Sequence, residues 1–386
     1  MSTTGTDIVV VSLEAWDEVW RRNQYLVDGL LQQDPASRVL FVEPPADPFF
    51  AASRWQRPVP GRGLRQPGRG SRSQDSRLWL YQPTKWLPRK IDKNADRRLA
   101  RAVVRAAARL GLDEPVLWVN DAGGSEIVEQ SGWPALYDIT DDWLLASVST
   151  AERERLARSE AALLDRCAEV VVCSPALARS KGERRSVHLV TNGVDLDRYR
   201  RPQSRPADLP EGPVALYVGT VHPDRFDVGC AIDAARHLEG RGHLVVVGPV
   251  LDLERAVLER MADAGIVLLG ARPRDEVPAY LQHADVLVVP HVVTPFTESL
   301  DPIKLYEYLA VGRPIVSTAV AGFRDTPQVT TTSAEEFGVV VRDVLADGVP
   351  TGGEGHPVEV PTWERQAARM SAVIDLVMSR QPARPR

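Results

Sequence analysis

The chain predicts an α/β protein built as two doubly wound domains, and three observations carry that prediction. Short, continuously apolar runs alternate with helix-length amphipathic runs over most of the 386 residues, the pattern of parallel strands buried on both faces. The alternation occurs as two series, separated at residues 198–213 by a stretch dense in proline and charge, which is the composition of a linker. A length of 386 residues also suits two cores better than one.

In the first series, residues 8–13, 39–42, 78–81, 116–119, 136–139, 170–173 and 188–190 read as strands, with helices clearest at 92–110 and 150–167. In the second, strands are expected at 214–218, 244–247, 266–269, 286–289 and 315–317. Its helices are expected at 227–238, 252–262, 274–283 and 303–310, with a last helix over 362–378. Residues 326–332 and 347–356 read as loops. The expected division is a first domain over 1–197, a linker over 198–212, a second domain over 213–360 and a terminal segment over 361–386.

Composition excludes several classes. Apolar content of 44% and charged content of 26% are ordinary for a globular protein, and a net charge of −5 gives no bulk attraction for nucleic acid. The three cysteines, Cys167, Cys173 and Cys230, have no zinc-site spacing and are expected to be reduced thiols in a cytoplasmic protein. No signal peptide or membrane-spanning run is expected. No Gly-x-Gly-x-x-Gly follows the first strand, which argues against a dinucleotide dehydrogenase.

The segment TESLDPIKLYEYLAVGRPIVST, starting at Thr297, holds the densest chemistry. Asp301 is expected to cap a helix with Pro302 as its first residue, and Gly312 and Pro314 to end it. Leu305, Tyr308 and Leu309 form its inward stripe, while Lys304 and Glu307 neighbour each other on a different face. A helix start beyond the carboxyl end of a strand, with a lysine beside its free N–H groups, suits a diphosphate. Glu307, one turn further in, suits a ribose.

This segment resembles the donor site of GT-B glycosyltransferases, in particular the family-four-like group (glycosyl transferases group 1). Glu307, ahead of Ala310, Gly312 and Pro314, matches the ribose-binding glutamate, and Pro302-x-Lys304-Leu305-Tyr306-Glu307-Tyr308 matches a "P-x-K-L-Y-E-Y" variant. Where the family usually carries a second glutamate, this chain has Ser299, with Glu298 one position away. The resemblance implies two Rossmann-like domains facing a cleft, a hinge at Asn192-Gly193-Val194-Asp195, and a C-terminal helix returning to the first domain.

On the donor side, Gly219 resembles the "Y-x-G" turn, followed by Thr220, His222 and Arg225. Arg225 is expected as a second cation for the diphosphate, its alternative being a pair with Asp224 or Asp227. Gly248, and Gly270-Ala271-Arg272-Pro273, close two further strands and are expected to hold the nucleobase; the second resembles a segment whose backbone reads the base edge, with Ile303 at the helix start. UDP, GDP and dTDP donors stay open, and the resemblance implies no metal or other cofactor. Asp195-Leu196-Asp197 fits a metal motif only by its pattern.

On the acceptor side, residues 14–20 with Arg21, Arg22 and Gln24 lie where the family admits its acceptor. Asp141 and Asp142 follow a strand, and Asp142 is the preferred general base if the reaction inverts. Retention, with the leaving phosphate taking the proton, is the expected course. Epimerisation of the donor and non-catalytic sugar-nucleotide binding are the rival activities. Residues 54–90, with Arg54, Arg57, Arg62, Arg65, Arg69, Arg72 and Arg77 against one acid, Asp75, and with Trp55, Trp79 and Trp86, suit either an anionic membrane surface or a solvated loop. A hydroxyl acceptor carried on a lipid at the inner face of the plasma membrane follows from the first option.

Overall fold

The computed structural model describes residues 5–68, 76–348 and 359–380. Gly70, Arg69, Arg72 and Asp75 of the basic stretch, residues 349–356 of the expected loop and the end of the terminal segment lie outside the described residues. The chain forms two compact units. One comprises residues 1–144, 148–191 and 363–386; the other comprises 145–147 and 192–362.

In the first unit the elements follow as β1 (Asp7–Val11), α1 (Arg22–Gln33), β2 (Arg38–Val42), α2 (Pro48–Ser53), β3 (Gly63–Arg65), β4 (Leu78–Gln82), α3 (Ala95–Arg109), β5 (Val116–Val119), α4 (Ser125–Ser131), β6 (Ala135–Ile139), α5 (Thr150–Arg166), β7 (Glu169–Val172), α6 (Pro175–Gly182) and β8 (His188–Leu189). The sheet order is β3-β4-β2-β1-β5-β6-β7-β8, parallel except for the β3–β4 pair. From β1 the chain winds first towards β2 and β4, then to β5 on the other side. The carboxyl ends of β1 and β5 therefore flank a topological switch point. Val9, Leu40, Leu117, Tyr137 and Val170 are among the buried residues that explain the continuous apolar runs.

The second unit contains α7 (Leu196–Arg200), β9 (Val214–Val218), α8 (Val228–His237), β10 (His243–Val247), α9 (Arg255–Asp263), β11 (Val267–Gly270), α10 (Val277–Gln282), β12 (Val286–Val289), α11 (Ile303–Val311), β13 (Ile315–Thr318), β14 (Val329–Thr332) and α12 (Phe337–Asp347). Its order is β11-β10-β9-β12-β13-β14, with every pair parallel. The switch point falls between β9 and β12. The last helix, α13 (Trp363–Ser379), belongs to the first unit. It packs on α1 with Tyr25 and Trp363 stacked at 4.4 Å. The expected class of two Rossmann-like α/β domains holds.

Four expectations need correction. Residues 198–212 are not a free linker, because Tyr199 and Leu209 are buried in the core of the second unit. The break instead falls at 191/192 and 362/363. The polar run at 329–332 is an edge strand, where β-branched threonines pair with β13 on one side. Within the basic stretch, residues 63–65 form β3, held because Arg62 and Arg65 both reach the buried Glu43, at 3.1 and 2.7 Å. Finally, α11 starts at Ile303 with Pro302 as its cap residue. The Asp301 carboxylate is occupied, accepting from the Asn192 backbone N–H and the Tyr306 hydroxyl.

Candidate functional site

In the second unit the switch point brings three segments together: the turn after β9, the loop after β12 and the start of α11. Gly219 occupies φ +147°, a conformation that favours glycine, and a Cβ there would lie 2.8 Å from Lys304 Nζ. Gly248, after β10, has φ +149°, and a Cβ would meet the Gly219 carbonyl at 2.1 Å. The two glycines let adjacent turns close on each other. Tyr308 fixes the first turn from below, its hydroxyl accepting from the Val218 N–H at 2.9 Å.

The loop from Gly219 to Asp227 is laced to the end of β12. The Asp227 N–H donates to the Pro290 carbonyl at 2.8 Å, and the Val292 N–H donates to the Arg225 carbonyl at 3.0 Å. The backbone carrying Arg225 is therefore held in place. Asp227 caps α8 through the Cys230 N–H, and Asp224 lies against His222 at 3.6 Å. Neither alternative partner takes Arg225: among the described residues its guanidinium makes no ion pair, and its buried Nε has no acceptor.

Lys304 projects from the first turn of α11 into the same place. Its ammonium donates to the Tyr217 hydroxyl at 2.8 Å and lies 3.2 Å from His291 Nε2. The Tyr217 hydroxyl in turn donates to the Thr220 carbonyl at 3.2 Å. Burial pushes the Lys304 pKa down to about 7, with repulsion from Arg225 adding to it and Glu307 opposing it. Burial, then Lys304 and Arg225, hold His291 well below the usual imidazole range, which keeps the ring neutral. Burial raises the Tyr217 phenol, which stays protonated. At the start of α11 the Leu305 N–H closes on the Pro302 carbonyl at 3.0 Å, while Pro302 supplies no side-chain cap for the N–H groups of Ile303 and Lys304.

Glu307 is half-buried on the next turn, where Oε1 accepts from the Tyr199 hydroxyl of α7. Burial raises its pKa, while the Tyr199 bond and Lys304 lower it. Ile303 is the first residue of α11, beside this cluster. Ser299 is buried, with its hydroxyl bonded to the Phe296 carbonyl at 2.7 Å. Glu298 accepts from the Ala321 N–H and pairs with Arg324 at 2.5 Å. Arg272 is tied to Asp208 at 2.5 Å and to the Tyr280 hydroxyl at 2.9 Å, which fixes the turn after β11. His222 Nδ1 accepts from the Asp224 N–H at 3.1 Å. Asp195 caps α7 and pairs with Arg198, so its geometry is that of a helix start. Among the described residues no group of three or more His, Cys, Asp or Glu is placed to hold a metal.

The structure brings Lys304 and Gly219 together, with Arg225 near the lysine and Glu307 one turn on. Beside them lie Tyr217, His291 and Tyr199, which the sequence pattern did not single out. Tyr217 sits in a buried strand and His291 in a loop 74 positions away, so only the strand order reveals that they meet. Tyr199 lay within a stretch read as linker.

In the first unit, Asp142 is buried and pairs with Lys181 at 3.2 Å, and Lys181 also holds Glu160 at 2.8 Å. Arg22 is also buried, forming a two-bond pair with Asp138 at 3.0 and 3.2 Å. Gln24 accepts from the Arg21 N–H at 2.8 Å, closing the start of α1. Around the switch point, Asn23 donates to Ser12 at 3.0 Å and to Asn120 at 2.7 Å. Glu14, on the loop after β1, is pushed up to about 7 by burial, with Arg21 opposing and Asp141 reinforcing the shift. Arg77 is spent on the Leu31 and Asp34 carbonyls, both at 2.8 Å.

Residues 212–347 match the family model for glycosyl transferases group 1. The teichuronic acid biosynthesis glycosyltransferase TuaH of Bacillus subtilis is 23% identical over 218 residues, covering 52% of this chain and 55% of that protein. The chain spans about half the length of this curated relative. Among solved structures, sucrose-phosphate synthase of Thermosynechococcus elongatus superposes with a TM-score of 0.63 at 19% identity, covering 97% of each chain. Anabaena HepE in complex with UDP superposes with a TM-score of 0.59 at 14% identity, covering 97% of this chain and 96% of that one. The structural likenesses show the fold, which is GT-B.

Proposed function

We propose that this chain, a GT-B protein carrying a group 1 glycosyltransferase domain over residues 212–347, moves a sugar from a nucleotide-diphospho-sugar to a hydroxyl acceptor. The observation that carries the reading is the convergence of Lys304, the unpaired Arg225 and the open start of α11 around Gly219. Two cations and backbone N–H groups at the end of a switch-point strand form a diphosphate cradle. Glu307 accepts hydrogen bonds from the ribose hydroxyls, with Tyr199 orienting its carboxylate.

In the reaction the bond from the anomeric carbon to the diphosphate oxygen breaks, and the bond to the acceptor oxygen forms. Lys304 and Arg225 stabilise the negative charge that grows on the leaving diphosphate, a role that needs no metal. The reading favours retention, in which the departing phosphate oxygen takes the acceptor proton. The Lys181–Asp142 pair supports it, because that carboxylate is already engaged by a buried ammonium.

TuaH acts in teichuronic acid biosynthesis by its name. This favours an acceptor in cell-envelope glycan assembly carried on a lipid, with the enzyme resting on an anionic membrane at the cytoplasmic face. Among the described residues, no helix is long and apolar enough to cross a membrane.

The test is calorimetric titration with UDP-, GDP- and dTDP-sugars. One of the three should bind, and Glu307→Ala should weaken that donor at least tenfold. Absence of binding to all three would refute the donor site. An unchanged affinity in Glu307→Ala would refute the ribose assignment.

A further inference from the structure

The first unit carries a surface whose composition is unusual for exposed protein. Phe49 and Phe50 are 49% and 54% exposed, Trp55 98%, Trp86 65%, Leu87 41% and Ile91 65%. They come from two connections, one of them carrying α2, that the topology places side by side. β2 and β4 are adjacent parallel strands, so the loops after them leave the same edge of the sheet. The pairing continues past the strands as a bridge between Ala46 and Thr84 and an ion pair between Lys85 and Asp47 at 2.5 Å.

Trp55 makes the case specific. It follows α2, its φ is +58°, and the next N–H closes back on the Ala51 carbonyl at 2.9 Å. That is the position where helices usually carry glycine. A side chain in this conformation costs about 1–2 kcal/mol, and this one is almost wholly in water. Neither backbone preference nor solvation accounts for a tryptophan here, whereas a surface that receives the indole does.

The charge around the surface is predominantly positive. Residues 44–94 contain eleven Lys and Arg against three Asp. Of the carboxylates described there, Asp47 is taken by Lys85 and Asp92 by Arg98. Among the described residues, Arg54, Arg57, Lys90 and Lys93 make no ion pair, and Arg54 lies over the Phe50 ring at 5.0 Å.

We infer that this face inserts into the interface of an anionic phospholipid bilayer, with Trp55 and Trp86 at headgroup depth and the unpaired cations on the lipid phosphates. Trp86 also lines a cavity of about 290 Å³ with Tyr81, Lys85 and Leu99, so a lipid-borne acceptor would meet the protein beside its anchor. The insertion does not depend on the glycosyltransferase reading; only its use in delivering an acceptor rests on that reading.

The test is sedimentation of the full chain with phosphatidylglycerol vesicles and, separately, phosphatidylcholine vesicles. The parent should bind the anionic vesicles. A W55S/W86S variant should bind them at least about tenfold more weakly, since each aromatic withdraws from an apolar environment. R54Q/R57Q should weaken binding to phosphatidylglycerol specifically. Leu376→Ser, an exposed apolar change on α13, should leave binding unchanged. Circular dichroism checks that each variant is folded.

Equal sedimentation of parent and W55S/W86S overturns the proposal, as does failure of the parent to bind phosphatidylglycerol. Self-association of the parent that W55S/W86S abolishes, without vesicle binding, also overturns it and assigns the face to a second copy of the chain. Sugar-nucleotide affinity, measured without vesicles, reports the donor reading separately.

Discussion

Donor affinity should fall with alkaline pH because of Lys304. In the free protein its ammonium is desolvated and repelled by Arg225, which brings its pKa to about 7. A diphosphate beside it favours the charged form and raises the pKa in the complex. A group whose pKa rises on binding contributes its full share of affinity below the free value and loses it as pH climbs towards the bound value. With a free value of about 7, about nine-tenths of the lysine is protonated at pH 6 and about one-hundredth at pH 9. Affinity should therefore drop by up to about 90-fold between these limits, or about 2.7 kcal/mol.

The measurement is calorimetry with a sugar nucleotide, whose doubly esterified diphosphate carries no proton titrating in this range. Repeating it in buffers of different ionisation enthalpy should show uptake of about half a proton at pH 7 and about nine-tenths at pH 8. Lys304→Arg, which cannot deprotonate, should flatten the profile. His291 is held neutral by burial and does not contribute. An affinity constant from pH 6 to 9 with no proton uptake would refute the argument that Lys304 meets the diphosphate.

Three further outcomes follow from the same geometry. Gly219→Ala should lower the thermal midpoint by about 5 °C, because φ +147° strains alanine by about 1–3 kcal/mol. It should also weaken donor binding, since its Cβ displaces Lys304; an unchanged affinity would separate the turn from the site. Arg225→Gln should leave stability within about 0.5 kcal/mol, as the guanidinium has no partner to lose among the described residues, while turnover falls about 100-fold or more. Asp142→Asn should cost about 1–3 kcal/mol in urea unfolding by weakening a buried pair, with turnover within about threefold; a collapse of turnover at unchanged stability would make Asp142 the base.

The sheets were legible because burial on both faces writes itself as uninterrupted Val, Leu and Ile, as in residues 214–218 and 286–289. The edges were not. Val329–Thr332 needs only one partner strand and carries threonines facing water. Residues 63–65 pair with β4 within a glycine- and arginine-rich stretch whose composition alone suggests a coil. In the candidate site, Lys304 and Glu307 were legible because helical spacing fixes their separation. Tyr217, His291 and Tyr199 were not, because each meets the site through strand order. The basic stretch divided in a way no charge count shows. Arg62 and Arg65 neutralise Glu43, and Arg77 binds carbonyls, whereas Arg54 and Arg57 keep their charge for solvent or a partner.

A single energetic distinction separates this chain's structural cations from its candidate functional ones. Arg22, Arg65 and Lys181 are mostly or wholly withdrawn from water, and each meets a carboxylate within about 3.2 Å. Removing a charge from water costs several kcal/mol, and a nearby opposite charge offsets it. Arg225 and Lys304 break that rule together. They are half-buried, close enough for the arginine to depress the lysine, and among the described residues neither has a carboxylate at ion-pair distance. Glu307 only partly opposes the shift, since its carboxylate is engaged by Tyr199. The free protein thus holds unrelieved positive charge around Gly219. One anionic charge would discharge one cation and leave the other still costly, whereas a diphosphate, with a charge on each phosphorus, relieves both at once. The desolvation and repulsion that lower Lys304 are therefore the same free energy that a two-phosphate donor recovers on binding.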